Sequence, residues 1–349
     1  MILRIWSGGC VMYCLHSRLV SKPIQYFLMT SDWKRDVTGL LATAEHPLIV
    51  VLGPTASGKT AFSIALAKSI VSTGREAEII NADSRQLYCY LNIGTAKVTP
   101  KEMQGIPHHL IDVLDPKEEA AAGWYQGEAR RVIQNMQKRG AVPVLVGGSM
   151  LYVSSVIDAL TLAPVPDPVL RARLIEEYDQ DGGAALFARL QEIDPETADS
   201  IHRNNKPHLV RAVEIYELLK APKSEAVPQR ELRSDENVSE YDLLIFGMQW
   251  DREELCVRID ERTKKMFEEG WLEEVEDLLK KGYSADNPGM KSHGYREIMT
   301  YMEGSCDDLK ALRELIAAKT RQYAKRQMSW WRGDSRIRWI CPALQTIRS

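Results

Sequence analysis

Short apolar runs alternate with stretches of helical spacing over the first half of the chain. Leu48 to Leu52 is an unbroken apolar run, the pattern of a strand buried on both faces. A glycine-rich turn follows it, then helical spacing from Thr60 to Ser72. Glu78 to Asn81 and Val142 to Val146 repeat the strand pattern, the second running into Gly147 and Gly148. Strands separated by helical patterns predict βαβ units: an α/β fold with a parallel sheet that binds ligands beyond its strand C-termini.

The pattern changes at Pro164, Pro166 and Pro168. Arg171 to Tyr178, Ala184 to Ile193 and Leu209 to Lys220 then show only helical spacing, which predicts an all-helical insertion over residues 164–240. Its end, from Pro222 to Val238, is polar and charged and reads as a mobile loop. Tyr241 to Phe246 returns to strand. Helices are predicted over Arg252–Glu269, Trp271–Lys281 and Leu309–Trp331, and a last strand over Arg336–Ile340. The core is therefore expected to comprise residues 47–163 and 241–349.

Residues 1–46 follow no period and carry no acid before Asp32. A basic, acid-poor start suits an organelle transit peptide, but the reading adopted is an over-long start or a disordered tail, with Met12 and Met29 as alternative starts.

Composition narrows the class. The 349 residues are 44% apolar and 27% charged, as in a globular enzyme, and no run reaches the length of a membrane-spanning helix. Six scattered cysteines without paired CxxC sets argue against a zinc module and fit a reducing cytoplasm. The net charge of −3 means that any nucleic-acid site must be a local basic patch.

Gly53-Pro54-Thr55-Ala56-Ser57-Gly58-Lys59-Thr60 fits the phosphate-loop pattern in full, with a strand before it and a helix after it. Its glycines let backbone N–H groups wrap phosphate oxygens, Lys59 adds a point charge and the Thr60 hydroxyl suits Mg²⁺. The expected core is thus P-loop NTPase-like. The loop implies a polyphosphate without saying which one.

Asn81-Ala82-Asp83-Ser84-Arg85-Gln86 follows the second strand directly, so Asp83 should face the same rim. It is a candidate Mg²⁺ ligand or general base, with a helix-capping aspartate as the plainer alternative. Basic residues gather in the insertion, around Gly294, and between Lys319 and Arg338. There, seven basic residues with one acid are interleaved with Tyr323, Trp330, Trp331 and Trp339. Basic groups neutralise phosphates and aromatic rings stack on splayed bases, so the combination suits a protein handling both a polyphosphate and an RNA.

These motifs resemble, as a set, the bacterial-type tRNA dimethylallyltransferases. The resemblance rests on Gly53–Thr60, Asp83–Tyr88, Asn92–Lys97, Pro107–Asp112, Gly147–Tyr152, Arg211–Glu214, His293–Arg296 and Arg321–Gln327. It implies that the phosphate loop, Gly53 to Thr60, holds the diphosphate of dimethylallyl diphosphate, with backbone N–H groups from Thr55 onward and Mg²⁺ at Thr60. It implies Asp83 as general base toward N6 of adenosine 37, and Arg262 and Lys59 as stabilisers of the leaving diphosphate. The tRNA partner, through its anticodon stem-loop, is expected at Asp83, Ser84, Arg85, Gln86, Ser149, Arg171, Pro207, His208, Leu209, Val210 and Arg211. A further stretch of contacts is expected at Lys291, Ser292, His293, Gly294, Tyr295 and Arg296. A monomeric cytoplasmic enzyme is implied.

Ser149 stands where the family has threonine, and His208 where it has arginine; Lys206-Pro207 also depart from its pattern. The zinc finger of eukaryotic relatives has no counterpart among these residues. The competing readings are an ATP-dependent small-molecule kinase, a prenyltransferase acting on free adenine nucleotides, and a non-catalytic RNA-binding protein.

Overall fold

A computed structural model describes residues 32–158, 160, 162–226, 239–305 and 308–341. Six strands form one sheet in the order β3-β2-β4-β1-β5-β6, and every pairing is parallel. They are β1 (Pro47–Leu52), β2 (Ala77–Asn81), β3 (His108–His109), β4 (Val142–Gly147), β5 (Asp242–Met248) and β6 (Ile337–Ile340). The central strand β1 is apolar throughout because it is covered twice. Leu48, Val50 and Leu52 join one core cluster, while Ile49 and Val51 join the cluster on the opposite face.

Helix α1 (Asp32–Thr43) precedes β1, so the ordered chain begins ahead of the expected start at Pro47. Trp33 packs edge-on against Phe62, and Phe62 against Phe246; Val37 is buried in the same cluster. The extension expected over residues 1–46 thus contributes a packed helix, and residues 1–31 lie outside those described. Helix α2 (Lys59–Val71) follows the phosphate loop, and short α3 (Pro100–Met103) leads into β3. Helices α4 (Ala122–Lys138) and α5 (Met150–Ile157) cover the other face; sequence patterning had marked neither as a separate element.

The insertion folds as α6 (Pro168–Asp181), α7 (Ala184–Ile193), α8 (Pro195–Ser200), α9 (Lys206–Leu219) and α10 (Lys223–Ala226). It has its own core, built around Leu174, Leu186, Leu190, Leu209 and Val213. The first part of the expected mobile loop is in fact α10, held by Asp194 accepting from the Ser224 N–H and hydroxyl; residues 227–238 lie outside the described residues. The chain returns through β5, α11 (Arg252–Glu268), α12 (Trp271–Lys280), α13 (Tyr295–Thr300) and α14 (Leu309–Trp331) to β6.

Beyond β1 the chain crosses to β2, on the far side of β4; beyond β4 it crosses to β5, on the far side of β1. The crevice between the ends of β1 and β4 is therefore the topological switch point, where open α/β sheets place their ligands.

Candidate active site

The phosphate loop is held in shape by groups outside it. Gly53 has φ 147°, and a Cβ there would lie 2.9 Å from Met248 O, so the turn out of β1 requires glycine. Gly58 has φ 86° and caps α2, whose first helical bond runs from the Phe62 N–H to Gly58 O at 3.1 Å. The N–H groups of Lys59, Thr60 and Ala61 are thus left at the positive end of a helix of 13 residues.

Arg258 Nε donates to Ala56 O, and Trp250 Nε1 to Ser57 O, both at 2.9 Å; the Arg258 guanidinium lies over the Trp250 ring. The Ser57 hydroxyl is buried without a protein partner, which suits an incoming oxyanion. One expectation is corrected: the Thr55 N–H does not face the phosphate space but donates to Gln327 Oε1 at 3.0 Å.

Lys59 Nζ donates to Pro54 O at 2.7 Å and to Gly53 O at 3.1 Å. Burial pushes its ammonium down to about 8, with the Asp83 carboxylate partly offsetting the effect and Arg262 adding to it. Burial also lowers Arg262, again opposed by Asp83. Arg262, on α11, donates to Thr55 Oγ1 at 3.1 Å. Two cations that favour a negative partner therefore converge on the loop.

Asp83 leaves the end of β2 with its backbone fixed: its N–H donates to Asn81 Oδ1 at 3.0 Å, and its Oδ1 accepts from the Arg85 N–H at 2.9 Å. It lines two cavities at once. The smaller, about 410 Å³, also takes in Lys59, Thr60, Gln86 and His108. The larger, about 860 Å³, takes in Thr55, Ala56, Ser84, Arg85 and Arg262. Its remaining walls include Ile259, Met266 and Ile316, which are apolar, and the rings of Trp271, His293 and Tyr323. Ser149 reaches the site indirectly, its Oγ accepting from the Ser84 N–H at 2.8 Å. The arrangement places an anion-binding loop, a carboxylate and an aromatic-walled cavity in sequence, which suits group transfer from a phosphate ester to a planar acceptor.

The IPP transferase family model matches residues 86–334. The chain belongs to that family. It is 39% identical over 302 residues to the tRNA dimethylallyltransferase of Geobacter sulfurreducens, covering 86% of this chain and 94% of the relative. It is 42% identical over 294 residues to that of Carboxydothermus hydrogenoformans, covering 84% and 91%. Among solved structures it is similar to the tRNA isopentenylpyrophosphate transferase of Bacillus halodurans, at 35% identity and TM-score 0.61, covering 85% of this chain and 90% of that one. It is also similar to a eukaryotic dimethylallyltransferase acting on tRNA, at 26% identity and TM-score 0.68, covering 84% and 73%.

Within this IPP transferase, the residues expected to meet tRNA divide by burial. Lys291, His293 and Arg296 are exposed, as are Pro207 and His208. Leu209, Val210, Ser292 and Tyr295 are buried, and Gly294 is filled against by Trp271. The side chains of Leu209, Val210, Ser292 and Tyr295 are thus turned inward, where they position the backbone of their neighbours, and Ser292 also lines the larger cavity. Arg171 and Arg211 both pair with the fully buried Glu214, each at 2.6 Å, and Arg211 also donates to Pro164 O. Sequence reasoning found both arginines but not the carboxylate's place between them.

The C-terminal basic set is similarly reduced. Lys319 pairs with Glu297, Arg321 with Asp260, Arg336 with Asp334 and Asp158, and Arg338 with Asp36. Lys325, Arg326 and Arg332 remain exposed, while Trp331 is core and not a stacking platform.

The donor set fits Mg²⁺ carried in with a diphosphate. The Thr60 hydroxyl and Asp83 carboxylate line one cavity, and no group of three or more metal-ligating His, Cys, Asp or Glu side chains occurs among the described residues. Magnesium commonly takes one or two protein oxygens and completes its shell with phosphate and water.

Proposed function

We propose that the protein transfers the dimethylallyl group of dimethylallyl diphosphate to N6 of adenosine 37 in tRNA, releasing diphosphate. The position of Asp83 carries this reading: one carboxylate borders both the space beside Lys59 and Thr60 and the aromatic-walled cavity beyond Arg262.

The bond from the allylic C1 to the diphosphate oxygen breaks, and a bond from adenine N6 to C1 forms. Negative charge gathers on the departing diphosphate. Lys59, Arg262 and the free N–H groups at the start of α2 stabilise it most when that charge is fully developed. The Thr60 hydroxyl would hold Mg²⁺, which when bound would add charge neutralisation at the diphosphate. The N6 lone pair is delocalised into the purine ring, so attack is weak until the amine begins to lose a proton. Asp83 accepts that proton, an effect worth about 10²–10⁴-fold in rate.

A duplex-stacked base cannot reach this carboxylate, so the adenine must leave its stack at a cost of a few kcal/mol. Exposed Lys291, His293, Arg296, Lys325 and Arg326 and the arginine pair at Glu214 are the groups proposed to hold the surrounding anticodon stem-loop. No described helix is long and apolar enough to cross a membrane, and unpaired Cys89, Cys256 and Cys341 suit the cytoplasm proposed for it.

The test is labelled dimethylallyl diphosphate and Mg²⁺ with either unmodified tRNA or AMP. Label entering tRNA is the expected outcome. Label entering AMP alone, or phosphoryl transfer from ATP to a metabolite instead, overturns the proposal.

A further inference from the structure

Gln327 is a buried glutamine far along α14, only 2% exposed, and the chemistry above does not use it. Its side-chain amide has two partners on two different strand ends. Oε1 accepts from the Thr55 N–H at 3.0 Å, on the loop that leaves β1. Nε2 donates to Gly148 O at 2.8 Å, on the turn that leaves β4. The side chain therefore spans the switch-point crevice, between the strand end that carries the phosphate loop and the one that supports Asp83.

The turn after β4 is itself locked to the strand that bears Asp83. Ser149 N–H donates to Ala82 O at 3.2 Å, and Ser149 Oγ accepts from the Ser84 N–H at 2.8 Å. Gly147 approaches Ala82 so closely that a Cβ would lie 2.1 Å from its carbonyl oxygen, and a Cβ on Gly148 would lie 2.3 Å from Gln327 Nε2. On the other side, Thr55 is also the residue whose hydroxyl receives Arg262. Gln327 thus grips the backbone of the residue that seats the phosphate-binding arginine, and through Gly148 grips the turn that flanks the base.

From this geometry we infer that Gln327 is a positioning residue: a strut that sets the distance between the phosphate loop with Arg262 and the carboxylate of Asp83. Its uncharged amide satisfies both contacts at once. One strand end presents an N–H and the other a carbonyl, so the bridge must accept at one end and donate at the other across a fixed length, which is what a primary amide provides. Glutamate would accept from Thr55 but present no donor to Gly148 O, and methionine has the length with neither function.

The inference rests on the transferase reading, and the test separates the two. Wild type, Gln327→Met, Gly148→Ala and the double variant are assayed for dimethylallyl transfer to tRNA, with tRNA affinity and thermal unfolding measured on each. Gln327→Met is expected to lower kcat about 10²-fold, the effect of misplacing reacting groups by about an ångström, with tRNA affinity unchanged. Gly148→Ala displaces the same amide from the opposite side and is expected to lower kcat likewise. The double variant should lose no more than the worse single one, since both act on one contact.

A folded Gln327→Met enzyme with wild-type kcat overturns the strut, as do losses that add in the double variant or a defect confined to tRNA affinity. If Gln327→Met does not fold, Gly148→Ala decides alone, because it keeps the glutamine and presses chiefly on its amide, with Gly53 O the next atom met at 3.1 Å: wild-type kcat there overturns the strut. Absence of transfer by the wild type would instead remove the functional reading itself.

Discussion

The Tyr295 hydroxyl donates to Glu274 Oε1 at 2.6 Å, and the same carboxylate accepts the backbone N–H groups of Asn92, Ile93 and Gly94. Two motifs some two hundred positions apart in the chain are thereby joined at one side chain. Beside it, the Trp271 ring fills the space between Gly94 and Gly294, where added Cβ atoms would lie 2.1 Å and 2.0 Å from it. This knot anchors the segment carrying Gly94 and Thr95 and the segment carrying Ser292 and His293, all of which line the larger cavity.

Glu274→Ala should therefore destabilise the protein by about 3 kcal/mol, because several donors lose a charged acceptor together. Gly294→Ala should cost at least as much, since its φ of 91° is strained for a side chain and the space is occupied. Urea unfolding of both variants measures this; wild-type stability in Gly294→Ala would show that Trp271 can move aside.

Asp83→Ala should lower turnover by about 10²–10⁴-fold while tRNA affinity stays near wild type. Steady-state kinetics beside filter binding read the two separately. Lost binding with intact single-turnover chemistry would exclude Asp83 as the base.

Lys59 makes the site pH-dependent. Its folded value, about 8, lies below its ordinary 10.5 because burial disfavours the ammonium. Between those limits the unfolded chain holds more protons than the folded one, so this group makes the protein more stable as pH rises from about 8 toward 10.5. A bound diphosphate reverses the balance by favouring the ammonium. Diphosphate affinity should accordingly fall as pH rises through about 8 in the wild type, and fall less in Lys59→Arg, whose charge persists. Calorimetric titrations across that range compare the two; parallel profiles would assign the fall to the ligand alone.

Arg211→Ala should weaken tRNA binding and reduce the slope of log affinity against log salt by about 1, the signature of one lost phosphate contact. It also leaves buried Glu214 with Arg171 as its remaining arginine partner among the described residues, so a drop in melting temperature should accompany it. Arg211→Lys should recover the salt slope better than the melting temperature, since an ammonium cannot reproduce the fork that meets Glu214 and Pro164 together. An unchanged slope in Arg211→Ala would remove it from the tRNA contacts.

Much of this was legible in the chain itself. Phosphate loops have a tight local grammar, so Gly53 to Thr60 announced the anion site; an unbroken apolar run marked β1, and shorter apolar stretches marked β2, β4 and β5, because buried parallel strands need apolar residues on both faces. Helices α7 and α14 fall at Ala184–Ile193 and Leu309–Trp331, where spacing put them. Helix α1 was missed because its weight lies in one packed tryptophan and a few aliphatic residues, without a long period. Side-chain orientation was hidden for a related reason: a motif marks residues that matter to a site without saying which of them face outward, and Leu209, Val210 and Tyr295 face inward.

Sequence determined the local chemistry: a phosphate cradle, a carboxylate at a strand end, and arginines and aromatics in recurring company. Those properties reside in a few neighbouring residues, and neighbours are what a linear pattern records. Tertiary structure alone decided which cavity Asp83 borders, that Gln327 reaches across to Thr55 and Gly148, that Glu214 gathers two arginines, and that four of the C-terminal basic residues have acids of their own. Each of those contacts joins residues that only chain folding makes adjacent. Its strength depends on distance and burial, quantities that a one-dimensional pattern does not contain.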